Sequence, residues 1–248
     1  MVRLNETVIW HDVECASYAA DLDVWEALAA DAADGPLLDI GCGTGRVALH
    51  LAALGHDVVG LDSEPELVQA LAGRARAAGL AVDGVVGDAR SFVLEGRTFA
   101  LAIAPMQVVQ LLGGTSGRAA MLETVRSHLR PGGGGMLAIA LADPFEGEAA
   151  ERVGPPMPDV HEEDGWLFSS LPIAVRTVNG GATAIDRVRQ AVSPAGELTE
   201  SMNTIELDAV TPEELEEEAR RAGFEPLPRR EVPPTDDYVG STVVILST

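Results

Sequence analysis

The amino-acid sequence predicts an α/β fold: a parallel sheet with helices on both faces, followed by an antiparallel β segment. Two observations carry that expectation. Between residues 36 and 142, short apolar runs alternate with stretches of helical periodicity, as in successive βαβ units. Units at this spacing have right-handed crossovers and strands covered on both faces. Between Trp166 and Leu207 the helical periodicity is absent, and three strand-like stretches follow one another across turn sequences.

Each element has its own signal. Residues 15–33 place Ala19, Leu22, Trp25, Leu28 and Ala29 at helical spacing, and Asp34-Gly35-Pro36 stops them. Leu37 to Ile40 is a short buried strand running into Gly41-Cys42-Gly43-Thr44-Gly45. A helix over 46–54 follows, closed by Gly55. A second strand, 57–61, ends at Asp62. Ser63 and Glu66 then suggest a capping box for a helix to Ala78. Further strands are expected over 81–86, 99–104 and 136–141, with a helix over 118–129 between the last two.

After Ala142 the pattern changes. Residues 143–164 are rich in Pro, Gly and acids and read as loop. Strands are expected at 166–178, 182–192 and 198–207, joined by Asn179-Gly180-Gly181 and Ser193-Pro194-Ala195-Gly196. Thr211-Pro212-Glu213-Glu214 starts a helix that ends at Gly223, and Glu213 to Glu218 read as its wet face. Two last strands, 224–232 and 242–247, complete the chain.

Charge and composition bound the function. The chain has 248 residues with 17 basic and 39 acidic side chains, a formal charge of −22, and every cation is arginine. Without lysine there is no lysine Schiff base and no P-loop. The acidity argues against nucleic acid and against an anionic membrane surface as partners. Cys15 and Cys42 make neither a disulfide framework nor a zinc spacing. The opening residues lack a secretory leader and no apolar run spans a bilayer, so the expectation is a cytoplasmic protein. The Ala-, Arg- and Val-rich composition looks like a high-GC bacterial coding bias.

A strand that empties into three glycines at the mouth of a helix is a nucleotide-binding device. The dinucleotide fingerprint fails here, because its third glycine position is Arg46. Asp39 stands two residues before the first glycine, where an ammonium is welcome and a pyrophosphate is not. Asp62, ending the second strand, is placed to accept hydrogen bonds from ribose hydroxyls, and Asp88, ending the third, from an exocyclic amine. Each acid alone could be a cap or a turn residue; all three lie at strand ends beside one crevice.

Leu37-Leu38-Asp39-Ile40-Gly41-Cys42-Gly43-Thr44-Gly45-Arg46 resembles the first motif of the class I S-adenosylmethionine-dependent methyltransferases. Gly60-Leu61-Asp62, Gly87-Asp88-Ala89 and Leu129-Arg130-Pro131-Gly132-Gly133 are similar to that family's later motifs, in order, and Ala222-Gly223-Phe224 to its last helix and sixth strand. The resemblance implies a Rossmann-like, seven-stranded, mostly parallel sheet whose final strand is antiparallel. It implies S-adenosyl-L-methionine as cofactor, with Asp39, Gly41, Cys42, Gly43 and Gly45 at the methionine moiety and Asp62 at the ribose. Asp88 and Ala89 would meet the adenine, with Pro105 at the end of the fourth strand. Ser63 departs from the family, which often has an apolar residue there against the adenine.

On this basis one domain is expected. Residues 1–35 form a covering helix, 36–142 the cofactor-binding core, 143–209 an antiparallel insertion and 210–248 the last helix and two strands. By resemblance the acceptor lies over the fourth strand, beneath the covering helix and the insertion, which nominates Trp10, Met106, Gln107, Trp166 and Arg176. Tyr18 is a candidate for touching cofactor or substrate, against a plain anchoring role. His161, among acids, is a candidate general base, against a solvated loop histidine, and His11 is similar. No metal site is expected. The leading reading is a small-molecule methyltransferase with a neutral or cationic acceptor, leaving nitrogen, oxygen and carbon open. A cyclase or pericyclase on the same fold and a non-catalytic cofactor-binding subunit are the alternatives. The oligomeric state stays open, a dimer included.

Overall fold

A computed structural model describes residues 5–32, 34–142, 157–235 and 238–248. The first five strands are β1 (Leu37–Ile40), β2 (Val58–Asp62), β3 (Val82–Val86), β4 (Leu101–Ala104) and β5 (Met136–Ala142). The insertion contributes β6 (Asp159–Glu163), β7 (Trp166–Thr177), β8 (Thr183–Val192) and β9 (Leu198–Leu207), and the chain closes with β10 (Glu225–Val232) and β11 (Ser241–Ser247). The main sheet has the order β10-β11-β5-β4-β1-β2-β3. Strands β1 to β5 pair in parallel, and β11 is antiparallel to both β5 and β10. This is a seven-stranded, mostly parallel Rossmann-like sheet. The insertion is a separate four-stranded antiparallel sheet, β6-β7-β8-β9.

Six α-helices are described: α1 (Glu6–His11), α2 (Leu22–Asp31), α3 (Arg46–Ala53), α4 (Pro65–Ala78), α5 (Gly114–His128) and α6 (Pro212–Arg221). Alternation along the strands builds two cores. Leu38, Ile40 and Ala102 face one side, with Met121, Val125 and Leu215 from α5 and α6. Leu37, Leu101 and Ile103 face the other, with Trp25, Leu28 and Leu51 from α2 and α3. A third cluster joins Ile9 and Val13 near the N-terminus to Phe168 and Ala191 of the insertion.

Five expectations are corrected. The helix read over 15–33 is two pieces: α1 continues as a π-turn, Asp12–Ala16, and α2 begins only at Leu22. The break is set by a distant residue. Arg46 donates to the Tyr18 carbonyl at 2.9 Å and grips both oxygens of Asp21 at 2.5 and 2.8 Å. The Trp25 indole donates to the same carboxylate at 2.8 Å. Ser63 forms no capping box, because Pro65 opens α4 and Glu64 takes the N-cap position without a side-chain bond. Helix α5 starts four residues earlier than expected, at Gly114.

Residues 159–163, read as loop, are strand β6. Asp164 (φ 50°) and Gly165 (φ 79°) make the two-residue turn into β7, with both backbones in the left-handed region that such a hairpin requires. The rest of that loop reading, 143–156, lies outside the described residues. Finally, Glu218 is not on a wet face. It is 8% exposed and takes two bonds of 2.8 Å from buried Arg118 of α5. The Thr211–Glu214 capping box of α6 forms as the sequence suggests.

Candidate functional site

The carboxyl ends of β1, β2 and β4 open onto a cavity of about 720 Å³, where open parallel sheets place their ligands. Its floor comes from Asp39, Gly41, Cys42, Asp62 and Ser63. Gly87, Asp88, Ala89 and Arg90 after β3 and Pro105 to Val108 after β4 form its sides. Its roof comes from Trp10, His11, Glu14 and Cys15 of the covering segment, with Glu6 and Thr7 at one end and Arg189 and Ile205 from the insertion.

The glycine loop is shaped for close approach. Gly41 (φ 68°) and Gly43 (φ 54°) hold left-handed conformations, and a Cβ at Gly41 would come 2.5 Å from the Val108 side chain. Asp62 fixes the loop: its Oδ2 accepts from the Gly43 amide at 2.8 Å and its Oδ1 from Glu64 at 3.0 Å. Asp39 is 1% exposed, and its Oδ1 has no hydrogen-bond partner among the described residues. Burial pushes its carboxyl up to about 7, against the opposing pull of nearby Arg46. A buried carboxylate oxygen without a donor is costly, so a cationic donor arriving from the cavity would satisfy it.

The roof is built differently. Glu14 accepts from Arg189 at 2.8 and 2.9 Å and from Ser170 at 2.8 Å. The Arg189 guanidinium lies 5.2 Å from the centre of the Trp10 ring. Asp12, just behind the roof, is bound by Thr44 at 2.7 Å and by both ends of Arg74. Burial alone would raise the Asp12 carboxyl, but these bonds together with His11 outweigh it and hold it well below the usual carboxylate range. The roof residues recur at a spacing of four: Glu6, Trp10, Glu14 and Thr7, His11, Cys15. In a pure α-helix this spacing drifts slowly round the helix; the wider π-turn over 12–16 offsets that drift.

Of the residues nominated from sequence, Asp39, Gly41, Cys42, Asp62, Ser63, Asp88, Ala89, Pro105, Trp10, Met106 and Gln107 border this cavity. Gly43 lies beneath His11, and Gly45 packs toward Leu71 at the start of α3. Asp88 is already engaged, since Arg90 donates to both its oxygens and holds it down near 2. Met106 adopts φ 57°, unusual for a residue with a side chain and of a kind found at functional sites. Four nominees lie elsewhere. Tyr18 is buried against Arg46 and Tyr238. His161 sits on β6, 3.8 Å from Glu163. Trp166 stacks 6.0 Å from Phe168, and Arg176 pairs with Asp186 at 2.8 Å. The insertion reaches the cavity through Arg189 and Ile205, which sequence reasoning missed. Among the described residues no His, Cys, Asp or Glu cluster could hold a metal, and no helix is long and apolar enough to cross a membrane.

Residues 37–133 match the family model described as a methyltransferase domain. This segment is similar to methyltransferase domains. The ubiquinone biosynthesis O-methyltransferase of Methylobacterium sp. (strain 4-46) is 37% identical over 97 residues, 39% of this chain and 37% of that protein. One from Cereibacter sphaeroides (strain ATCC 17025 / ATH 2.4.3) is 35% identical over the same share of this chain and 38% of its own. The chain thus matches well under half the length of these relatives. Among solved structures, the SAM-bound amino pentose methyltransferase CalS10 from Micromonospora echinaspora covers 100% of both chains, with 25% identity and a TM-score of 0.66. The sugar N-methyltransferase KedS8 from Streptoalloteichus sp ATCC 53650 covers 100% of this chain and 94% of its own, with 22% identity and a TM-score of 0.74. The methyltransferase family uses S-adenosylmethionine, and the glycine loop beside the donor-hungry Asp39 carboxylate fits that zwitterion's ammonium.

Proposed function

We propose that this chain is a methyltransferase acting on a small-molecule amine, with all four sequence segments from 1–35 to 210–248 working as one unit. The observation that carries the reading is the unpartnered Asp39 oxygen in the cavity floor. In this reading Asp39 takes the cofactor's ammonium, and the loop from Gly41 to Gly45 carries the methionine moiety. Asp62 takes the ribose, and Ser63, Asp88 and Ala89 border the adenine, where Asp88 serves while held by Arg90. S-adenosylmethionine supplies a methyl group on a sulfonium, which carries its own leaving group.

The protein's share is then to position, to exclude water and to favour a nucleophile in line with that methyl. Trp10, Met106 and Gln107 border the acceptor side. Met106 is held in its strained conformation where β4 delivers it to the cavity. Charge supports an amine. Each arginine on the cavity wall is bonded to an acid: Arg46 to Asp21, Arg90 to Asp88 and Arg189 to Glu14. Glu6, Asp39 and Asp62 border the cavity with no cation bonded to them among the described residues. The similarity to a sugar N-methyltransferase and to an amino pentose methyltransferase points the same way.

The test is release of S-adenosylhomocysteine against a panel of amino sugars, other amines and phenols. Turnover confined to amines is expected. Turnover confined to phenols would move the acceptor to oxygen. Cofactor binding without turnover of any compound would favour the non-catalytic alternative, and no binding at high micromolar cofactor would sink the reading.

A further inference from the structure

His11 stands on the cavity roof directly above the glycine loop. A Cβ added at Gly43 would fall 2.1 Å from its Nε2 and 2.4 Å from its Cε1, so the ring meets the loop end-on and a glycine leaves it room. The other ring nitrogen, Nδ1, lies 3.4 Å from Thr44 Oγ1 and 3.9 Å from Asp12 Oδ1. Thr44 donates its own proton to Asp12 at 2.7 Å, so the threonine turns a lone pair toward His11 and Nδ1 is the donor. In the neutral ring Nε2 is therefore a bare lone pair; in the cation it carries a proton toward the loop.

The other cations bordering the cavity are committed. Arg46 is bonded to Asp21 and the Tyr18 carbonyl, Arg90 to Asp88 and Arg189 to Glu14. A zwitterion whose ammonium goes to Asp39 still brings a carboxylate, and His11 is the group over the same loop able to present a fresh charged donor. Resting on the cofactor reading above, we infer that His11, as imidazolium, holds the carboxylate of the cofactor's methionine end, so that binding takes up a proton at Nε2.

The surroundings suit this. Asp12, pinned by Arg74 from α4, stays ionised and favours the imidazolium from behind. Asp39 and Asp62 on the floor add negative potential, and Glu14 on the same roof is neutralised by Arg189 from β8. Two opposite proton linkages follow. Binding at His11 as imidazolium brings a proton in with the ligand, so its contribution falls as pH rises. Binding at Asp39 requires the carboxylate and strengthens as pH rises through about 7.

S-adenosylhomocysteine, which keeps both charged groups and does not react, is the probe. Calorimetric titration from pH 6 to 8.5, in two buffers of different ionisation heat, compares wild type with His11→Gln. The variant is expected to bind about tenfold more weakly at pH 6, with the ratio falling toward one at pH 8.5, and to take up fewer protons per ligand at pH 7. In the wild type alone, the ¹⁵N resonances of His11 should move from the neutral to the imidazolium pattern on ligand binding at pH 7. A ratio constant across pH, an unchanged proton count or a ring that stays neutral overturns the assignment. So does wild-type affinity with lost turnover, which would give Nε2 to the acceptor. If wild type itself binds no ligand, the cofactor reading fails first and this inference with it.

Discussion

The floor and the roof of the cavity are both rich in acids, yet they are organised in opposite ways. On the floor, Asp39 is buried with an oxygen left without a donor, and Asp62 takes only backbone amides. On and behind the roof, Asp12 is closed by Arg74 and Thr44, and Glu14 by Arg189 and Ser170. Asp21 is likewise closed by Arg46 and Trp25. The floor keeps a buried oxygen without a donor; the acids of the roof are paired and so hold its shape before anything binds. Around this cavity the unpaired buried carboxylate lies on the floor and the paired ones lie on and behind the roof.

Three substitutions test that contrast, and a further pair compares two helix caps. Asp21→Ala strands Arg46 and the Trp25 indole together and should cost about 3–5 kcal/mol in urea unfolding, with the covering segment detached. Asp39→Asn should do the reverse for the ligand-free protein. Because the folded carboxyl is pushed up to about 7 from 3.8, ionisation opposes folding as pH rises between those values. The variant should therefore melt higher than wild type at pH 8, with the gain fading toward pH 4, while losing about 1.5–3 kcal/mol of cofactor affinity. A lower melting temperature at pH 8 would mean that Asp39 is structurally paired.

Glu14→Gln keeps the shape but weakens the grip on Arg189. An acceptor KM raised several-fold, from about 1 kcal/mol of lost positioning, is expected with cofactor affinity intact. Equal losses for both ligands would merge roof and floor into one unit. The smallest effect separates two caps. Thr211→Ala should cost about 1 kcal/mol, since its capping box is formed. Ser63→Ala should change stability by less than about 0.5 kcal/mol, since its box is not.

The parallel half was legible because each of its signals is local. Leu37 to Ile40 and Leu101 to Ala104 are buried on both faces, and they read as short apolar runs that only Asp39 interrupts. The glycine loop announces itself by spacing, and Asp39, Asp62 and Asp88 by their places at strand ends. What was lost depended on partners far along the chain. The break before α2 is enforced by Arg46, and the burial of Glu218 by Arg118, 100 residues away. Strand β6 reads as polar because it is a narrow edge, although Asp164-Gly165 is a hairpin signal that could have found it. The resemblance implied that the insertion covers the crevice, but not which of its strands turns a side chain inward. That choice, Arg189 over Arg176, is set by docking against Trp10 and Glu14.

The π-turn gives the covering segment a register that a single residue can change. Removing one position from 12–16 would tighten that stretch to ordinary helical pitch and swing Glu14 and Cys15 out of the ligand's view. Neighbouring side chains would replace them while the pairing of β1 to β5 stayed as it is. A one-codon deletion is thus a route by which descendants of this sequence could exchange part of the cavity roof and keep the sheet that forms its floor.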